Sequence, residues 1–112
     1  MFGKSKHQIG SVTRQGRRCD GRTIIEQMGM MTFSAVCGRR ALSLKDEKDN
    51  TVGIAMFVTS KRRIEVILNF LDTYTVRRIY ADIDGNEFVE EQFDMVYADQ
   101  LEQVVWQASV WE

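Results

Sequence analysis

The stretch RRIEVILNFLDTYTVRR, Arg62 to Arg78, constrains the fold more than any other. As one helix it would be an amphipathic rod with basic ends. As two strands it would be the middle of an antiparallel sheet. Ile64, Ile67, Leu68 and Leu71 satisfy helical spacing, whereas Ile64, Val66 and Leu68 satisfy strand alternation, with Arg63, Glu65 and Asn69 opposite. The second half breaks the tie. Thr73-Tyr74-Thr75-Val76 is β-branched and aromatic throughout, which loses side-chain freedom in a helix and packs well on a pleated sheet. Asn69 to Asp72 supplies turn chemistry between the halves. The prediction is two strands, about 62–68 and 73–83.

The flanking sequence extends this sheet. Ala41–Leu44 and Thr51–Thr59 read as strands, separated by the charged turn Lys45–Asn50, and Gly53 marks a bulge or a close approach of backbones. Met31–Cys37 alternates apolar and small polar residues and is predicted as a further strand. Asp84-Gly85-Asn86 signals a hairpin, and Glu87–Val96 is the return strand, with a change of face between Val89 and Phe93 that points to a bulge. Thr23 and Glu26 have capping-box spacing, and Gly29 closes a short helix. Asp99 and Glu102 repeat that spacing before the apolar stripe Leu101, Val104, Val105 and Ala108, which predicts a last helix over about 98–110. The expected fold is α+β: a single domain with an antiparallel sheet of five to six strands, a short N-terminal helix and a C-terminal helix. Residues 1–22, with four glycines and little periodicity before Arg22, read as a basic, flexible arm, and 23–112 as the compact domain.

A chain of 112 residues with 44 % apolar and 28 % charged residues fits one small globular domain. No apolar run approaches a membrane span, and the basic N-terminus lacks the apolar stretch of a secretory signal. Cys19 and Cys37 have no metal-ligand spacing, and without a secretory signal a reducing cytoplasm is expected.

The net charge of −1 conceals a polar distribution. Residues 1–22 carry six basic groups against Asp20, a net +5, and residues 23–78 carry a net +3. Residues 79–112 carry nine carboxylates and no Lys or Arg. Such a chain offers partners two different electrostatic surfaces.

Three segments, Thr23-Ile24-Ile25-Glu26-Gln27-Met28-Gly29, Asp72-Thr73-Tyr74 and Val96-Tyr97-Ala98-Asp99-Gln100-Leu101, resemble in order and spacing a group of short uncharacterised proteins of bacteriophages and other mobile elements. The resemblance covers about residues 22–110, with the basic arm as an addition. It implies a phage or plasmid origin, and so the cytoplasm of a host bacterium as the expected location, and supports the strand reading of 62–78; it implies no chemistry.

The residues themselves carry no enzymatic signature. His7, the only histidine, lies in the arm, away from the fixed partners a catalytic or metal-bound imidazole needs. Asp82-x-Asp84-x-Asn86 begins like a calcium loop, but Glu87 replaces the required Gly and Phe93 the bidentate Glu, so a hairpin with acidic flanks explains it. No nucleophile elbow, phosphate loop, zincin or dinucleotide fingerprint occurs. A non-enzymatic protein without metal or cofactor is expected.

Three binding functions follow. In the first, Glu87, Glu90, Glu91, Asp94, Asp99 and Glu102, with Trp111 as aromatic anchor, form an acidic face for a basic surface on a host or phage protein, such as the nucleic-acid groove of a nuclease or CRISPR effector. In the second, Arg14, Arg17, Arg18 and Arg22 contact phosphates, helped by Arg39, Arg40 and by Arg62, Arg63, Arg77 and Arg78, which a hairpin would gather. In the third, a homo-oligomer forms when the basic arm of one copy meets the acidic face of another.

Overall fold

The structure is a computed structural model that describes residues 16–110. Two short helices, α1 (Gly21–Met28) and α2 (Met30–Cys37), precede five strands: β1 (Ala41–Lys45), β2 (Thr51–Phe57), β3 (Arg62–Leu68), β4 (Tyr74–Ala81) and β5 (Glu87–Val96). A 3₁₀ turn (Ala98–Gln100) leads into α3 (Leu101–Ala108). The strands form one antiparallel meander in the order β1-β2-β3-β4-β5, so β1 and β5 are its edges. The α+β architecture and the two-strand reading of 62–78 hold.

The sheet buries one face against the helices. Ile54 and Met56 of β2, Ile64 and Val66 of β3, Tyr74 and Val76 of β4, and Val96 point to this side. They pack with Ile24, Met28, Phe33, Val36, Leu101, Val105 and Ala108 from the three helices. The Tyr74 hydroxyl donates to Gln27 Oε1 at 2.5 Å, fixing α1 to β4. The opposite face is buried as well at Ala55, Glu65, Ile67, Arg77 and Ile79.

Met31–Cys37 is helix, not strand. Thr32, Phe33, Val36 and Cys37 are buried, a helical i, i+1, i+4, i+5 pattern, and Gly38 at φ 60° supplies the left-handed C-cap. The first helix starts at Gly21, capped by the Asp20 carboxylate, which accepts from Arg22 N at 2.9 Å; Thr23 and Glu26 form no cap. At the last helix, Gln100 Oε1 accepts from Tyr97 N, in place of the predicted Asp99 and Glu102.

Residues 16–22 of the expected arm belong to the packed domain. Arg17 N–H donates to Leu68 O and Cys19 N–H to Thr51 O. Gly16 lies so close to Val52 and Ile67 that a Cβ there would come within 2.6 Å of Val52 Cβ. The remainder of the arm, with His7 and Arg14, lies outside the described residues.

Gly53 combines both anticipated roles: a Cβ would collide with the Val66 carbonyl oxygen, and the β1–β2 register shifts beside it. Strand β5 has two irregularities, one between Arg78 and Ile79 in the β4 register and one between Tyr74 and Val76. The first leaves Glu90 as the extra residue, where the change of face occurs; at the second, Met95 adopts φ 56°.

Candidate functional site

The four strand arginines do come together, but acidic partners meet them within the sheet. Glu65 on β3 sits opposite Arg77 on β4, and Ile64 opposite Arg78. On the face away from the helices, Glu65 Oε1 accepts from Arg77 Nη2 at 2.5 Å and Glu65 Oε2 from Arg63 Nε at 3.0 Å. Arg63 Nη1 also donates to Glu87 Oε2 at 2.7 Å. Arg77 is fully enclosed, and its Nε has no partner among the described residues.

On the other face, Glu90 receives two hydrogen bonds from Arg62, at 2.9 and 3.0 Å, and one from Arg78 Nε at 2.8 Å. The hydrogen bonds from Arg62, then those from Arg78 and the charges of both, hold its carboxyl well below the usual range, at about 2. Arg62 lies 4.9 Å from the centre of the Tyr80 ring, which stacks on Phe88. Arg78 Nη1 donates to the carbonyls of Ala108 and Val110 and so anchors the end of α3 to the sheet.

These pairs redraw the expected surfaces. Of the predicted acidic face, Glu87 and Glu90 are ion-paired with Arg62, Arg63 and Arg78, and of the predicted phosphate-binding set, Arg62, Arg63, Arg77 and Arg78 are paired with these carboxylates or with Glu65. Glu102 stays on the surface but accepts from Thr32 Oγ1, which itself accepts from Trp106 Nε1, tying α2 to α3. Glu91, Asp94 and Asp99 remain exposed; Asp94 accepts from Thr75 Oγ1 and Gln92 Nε2. Trp111 lies outside the described residues.

The aromatic anchor that the structure does describe is Trp106, which is 42 % exposed. With Arg78, Glu91, Phe93, Gln107 and Val110 it bounds an open groove of about 590 Å³ between β5 and α3. Its position off the buried stripe of Leu101, Val105 and Ala108 is the sequence signal that marks it as outward-facing. Phe88 and Met95 on β5, Tyr97 just after it and Val110 just after α3 are also exposed, giving the carboxylates apolar neighbours.

On the basic side, Arg17 pairs with Asp72 at 2.8 Å. Arg18, Arg22 and Arg39 form no ion pair among the described residues, and Arg40 donates to the carbonyls of Cys37 and Val58. Arg22 and Arg39 share a groove of about 740 Å³ between the first two helices and β1, with Cys19 in its wall. Burial raises the pKa of both Cys19 and Cys37, so neither thiol is poised as a thiolate. Among the described residues no His, Cys, Asp or Glu cluster could hold a metal, and no helix is long and apolar enough to cross a membrane. No protein family, curated protein or solved structure matches the chain.

Proposed function

We propose that the chain is a non-enzymatic accessory protein of a bacteriophage or other mobile element, acting by stoichiometric binding. The surface of β5, the 3₁₀ turn and α3 meets a basic surface on a partner protein, with the nucleic-acid groove of a host nuclease or CRISPR effector as the target class. The observation that carries this reading is the division of charge. Every strand arginine near β5 is held by Glu65, Glu87 or Glu90, while Glu91, Asp94 and Asp99 stay exposed in a segment without Lys or Arg. Trp106, Met95 and Tyr97 add the apolar area that gives an interface its residence time. The mobile-element origin rests on the three sequence motifs.

The test is affinity capture from a bacterial host lysate at low and high salt, with wild type beside Glu91→Lys/Asp94→Lys/Asp99→Lys. The expected result is a partner retained by wild type and lost both in the variant and at high salt. A variant that keeps every partner removes the reading. Nucleic-acid binding is the second reading, favoured by Arg22 and Arg39 sharing one groove with no ion pair among the described residues. A mobility shift that weakens with salt and with Arg22→Ala/Arg39→Ala supports it; no shift at low salt removes it.

A further inference from the structure

The two sheet edges differ in how they are defended. Strand β5 has two bulges, a left-handed residue at Met95 and exposed carboxylates at Glu91 and Asp94, so a second β5 would meet kinks and like charge. Strand β1 runs regularly from Ala41 to Leu44, carries no inward charge, and leaves Leu42 64 % exposed. Its backbone direction is fixed at both ends. Phe57 N–H donates to Arg40 O, and Asp46 N–H donates to Asn50 O, so Arg40, Leu42, Leu44 and Asp46 aim their backbone groups at β2. By alternation, Ala41, Ser43 and Lys45 aim theirs outward.

We infer that β1 is a homodimerisation edge, pairing antiparallel with β1 of a second copy about a two-fold axis at Ser43. The strand is self-complementary in this register. Ser43 faces Ser43 of the second copy as a hydrogen-bonded pair, and Ala41 faces Lys45, so the three outward-pointing residues of each strand meet one another. Leu42 and Leu44 share a face, and each meets the other's counterpart across the axis, covering the exposed Leu42. Charge agrees as well. The turn before β1 carries Arg39 and Arg40, and the turn after it carries Asp46 and Glu47, so antiparallel pairing sets a basic end against an acidic end twice. Lys45 of the second copy comes beside the groove that Asp20 and Glu26 help to line. The interface is small, which makes the dimer concentration-dependent rather than obligate. It joins two five-stranded sheets into one and sets the two β5–α3 surfaces at opposite ends, a bivalent arrangement independent of what those surfaces bind.

Sedimentation velocity over a concentration series tests the inference, comparing wild type with Ser43→Pro. Proline removes an N–H that points away from β2, so the monomer fold is kept, as circular dichroism checks. The expected result is a reversible dimer in wild type and a dissociation constant raised roughly tenfold to a hundredfold in the variant. Ser43→Cys, with its Cα about 5.5 Å from its symmetry mate, forms an intermolecular disulfide on mild oxidation, whereas Ser60→Cys in the β2–β3 turn, away from the axis, does not. A wild-type monomer at the highest attainable concentration, a Ser43→Pro dimer of unchanged affinity, or a dimer in which Ser43→Cys fails to crosslink overturns the inference.

Discussion

Glu65 and Arg77 stand opposite one another on adjacent central strands, with a carboxylate oxygen 2.5 Å from a guanidinium nitrogen and 0 % and 1 % of their surfaces exposed. Arg63 shares Glu65 and links it to Glu87, so three strands are tied through one ionic cluster. Removing one member strands a buried charge, whereas replacing the pair with apolar groups removes the desolvation penalty along with the attraction. Glu65→Gln should therefore destabilise the fold by about 3–5 kcal/mol, and Glu65→Leu/Arg77→Met should restore most of that loss. Urea denaturation of the single and double variants measures both effects.

Glu90 makes stability depend on acid pH. Its folded pKa, about 2, lies below the ordinary 4.5, so the carboxylate form is favoured by folding. The contribution is fully present above pH 4.5 and is lost as the pH falls through 4.5 toward about 2. Glu90→Gln should lower stability at neutral pH and flatten its decline across that acid window. Denaturation midpoints collected from neutral to acid pH read out the difference; an unchanged acid slope would refute the role assigned to Glu90.

Gly53 has no room for a side chain because the Val66 carbonyl oxygen occupies the site where a Cβ would stand. No rotamer relieves a clash between a Cβ and a backbone atom, so β2 and β3 must separate. Gly53→Ala should cost about 3 kcal/mol, near the upper end of ordinary overpacking. Thermal unfolding of the variant is the measurement, with exposed Ser60→Ala as a control near zero.

The same residues show what local pattern can and cannot reveal. The turn at Asn69–Asp72 was legible because Asn69 satisfies its own neighbours: its side chain accepts from Leu71 N and Thr73 N. Helix α2 was not legible by periodicity. It carries no charge to mark an exposed face, and its small residues Thr32, Ser34 and Ala35 mimic strand alternation; Gly38 ends a strand as readily as it caps a helix, so it does not decide between them. The gathering of the arginines was foreseeable from their distances to the turn. Their neutralisation was not, because it depends on a register that sets Glu65 against Arg77 and on a β5 bulge that frees Glu90 to reach Arg62 and Arg78. Of the predicted carboxylates, Glu87 and Glu90 are drawn into ion pairs while Glu91, Asp94 and Asp99 stay exposed, and Trp106 shares a groove with Glu91.

Thr32 links Trp106 to Glu102, its hydroxyl accepting from the indole at 3.1 Å and donating to the carboxylate at 3.0 Å. Thr32→Val keeps the shape and removes both hydrogen bonds. Since Trp106 and Glu102 can turn to water, the expected loss is about 1 kcal/mol. The indole should also become more mobile, which fluorescence anisotropy detects in a Trp111→Phe background.

Charge reversal separates the structural carboxylates from the exposed ones. Glu87→Lys/Glu90→Lys sets ammonium groups beside Arg62, Arg63 and Arg78, replacing attraction with repulsion in a partly buried place, and should destabilise the fold by about 2 kcal/mol or more. Glu91→Lys/Asp94→Lys breaks no ion pair among the described residues, and only the Asp94 hydrogen bonds to Thr75 and Gln92 are lost. Its effect on stability should be within about 0.5 kcal/mol. Partner binding should follow the opposite order: in calorimetric titrations under conditions where both variants are folded, the Glu91/Asp94 reversal should lose affinity and the Glu87/Glu90 reversal should retain most of it. A binding defect confined to the Glu87/Glu90 variant would place the interface at the ion-paired end of the sheet, because it would mean that the exposed carboxylates Glu91 and Asp94 are spectators.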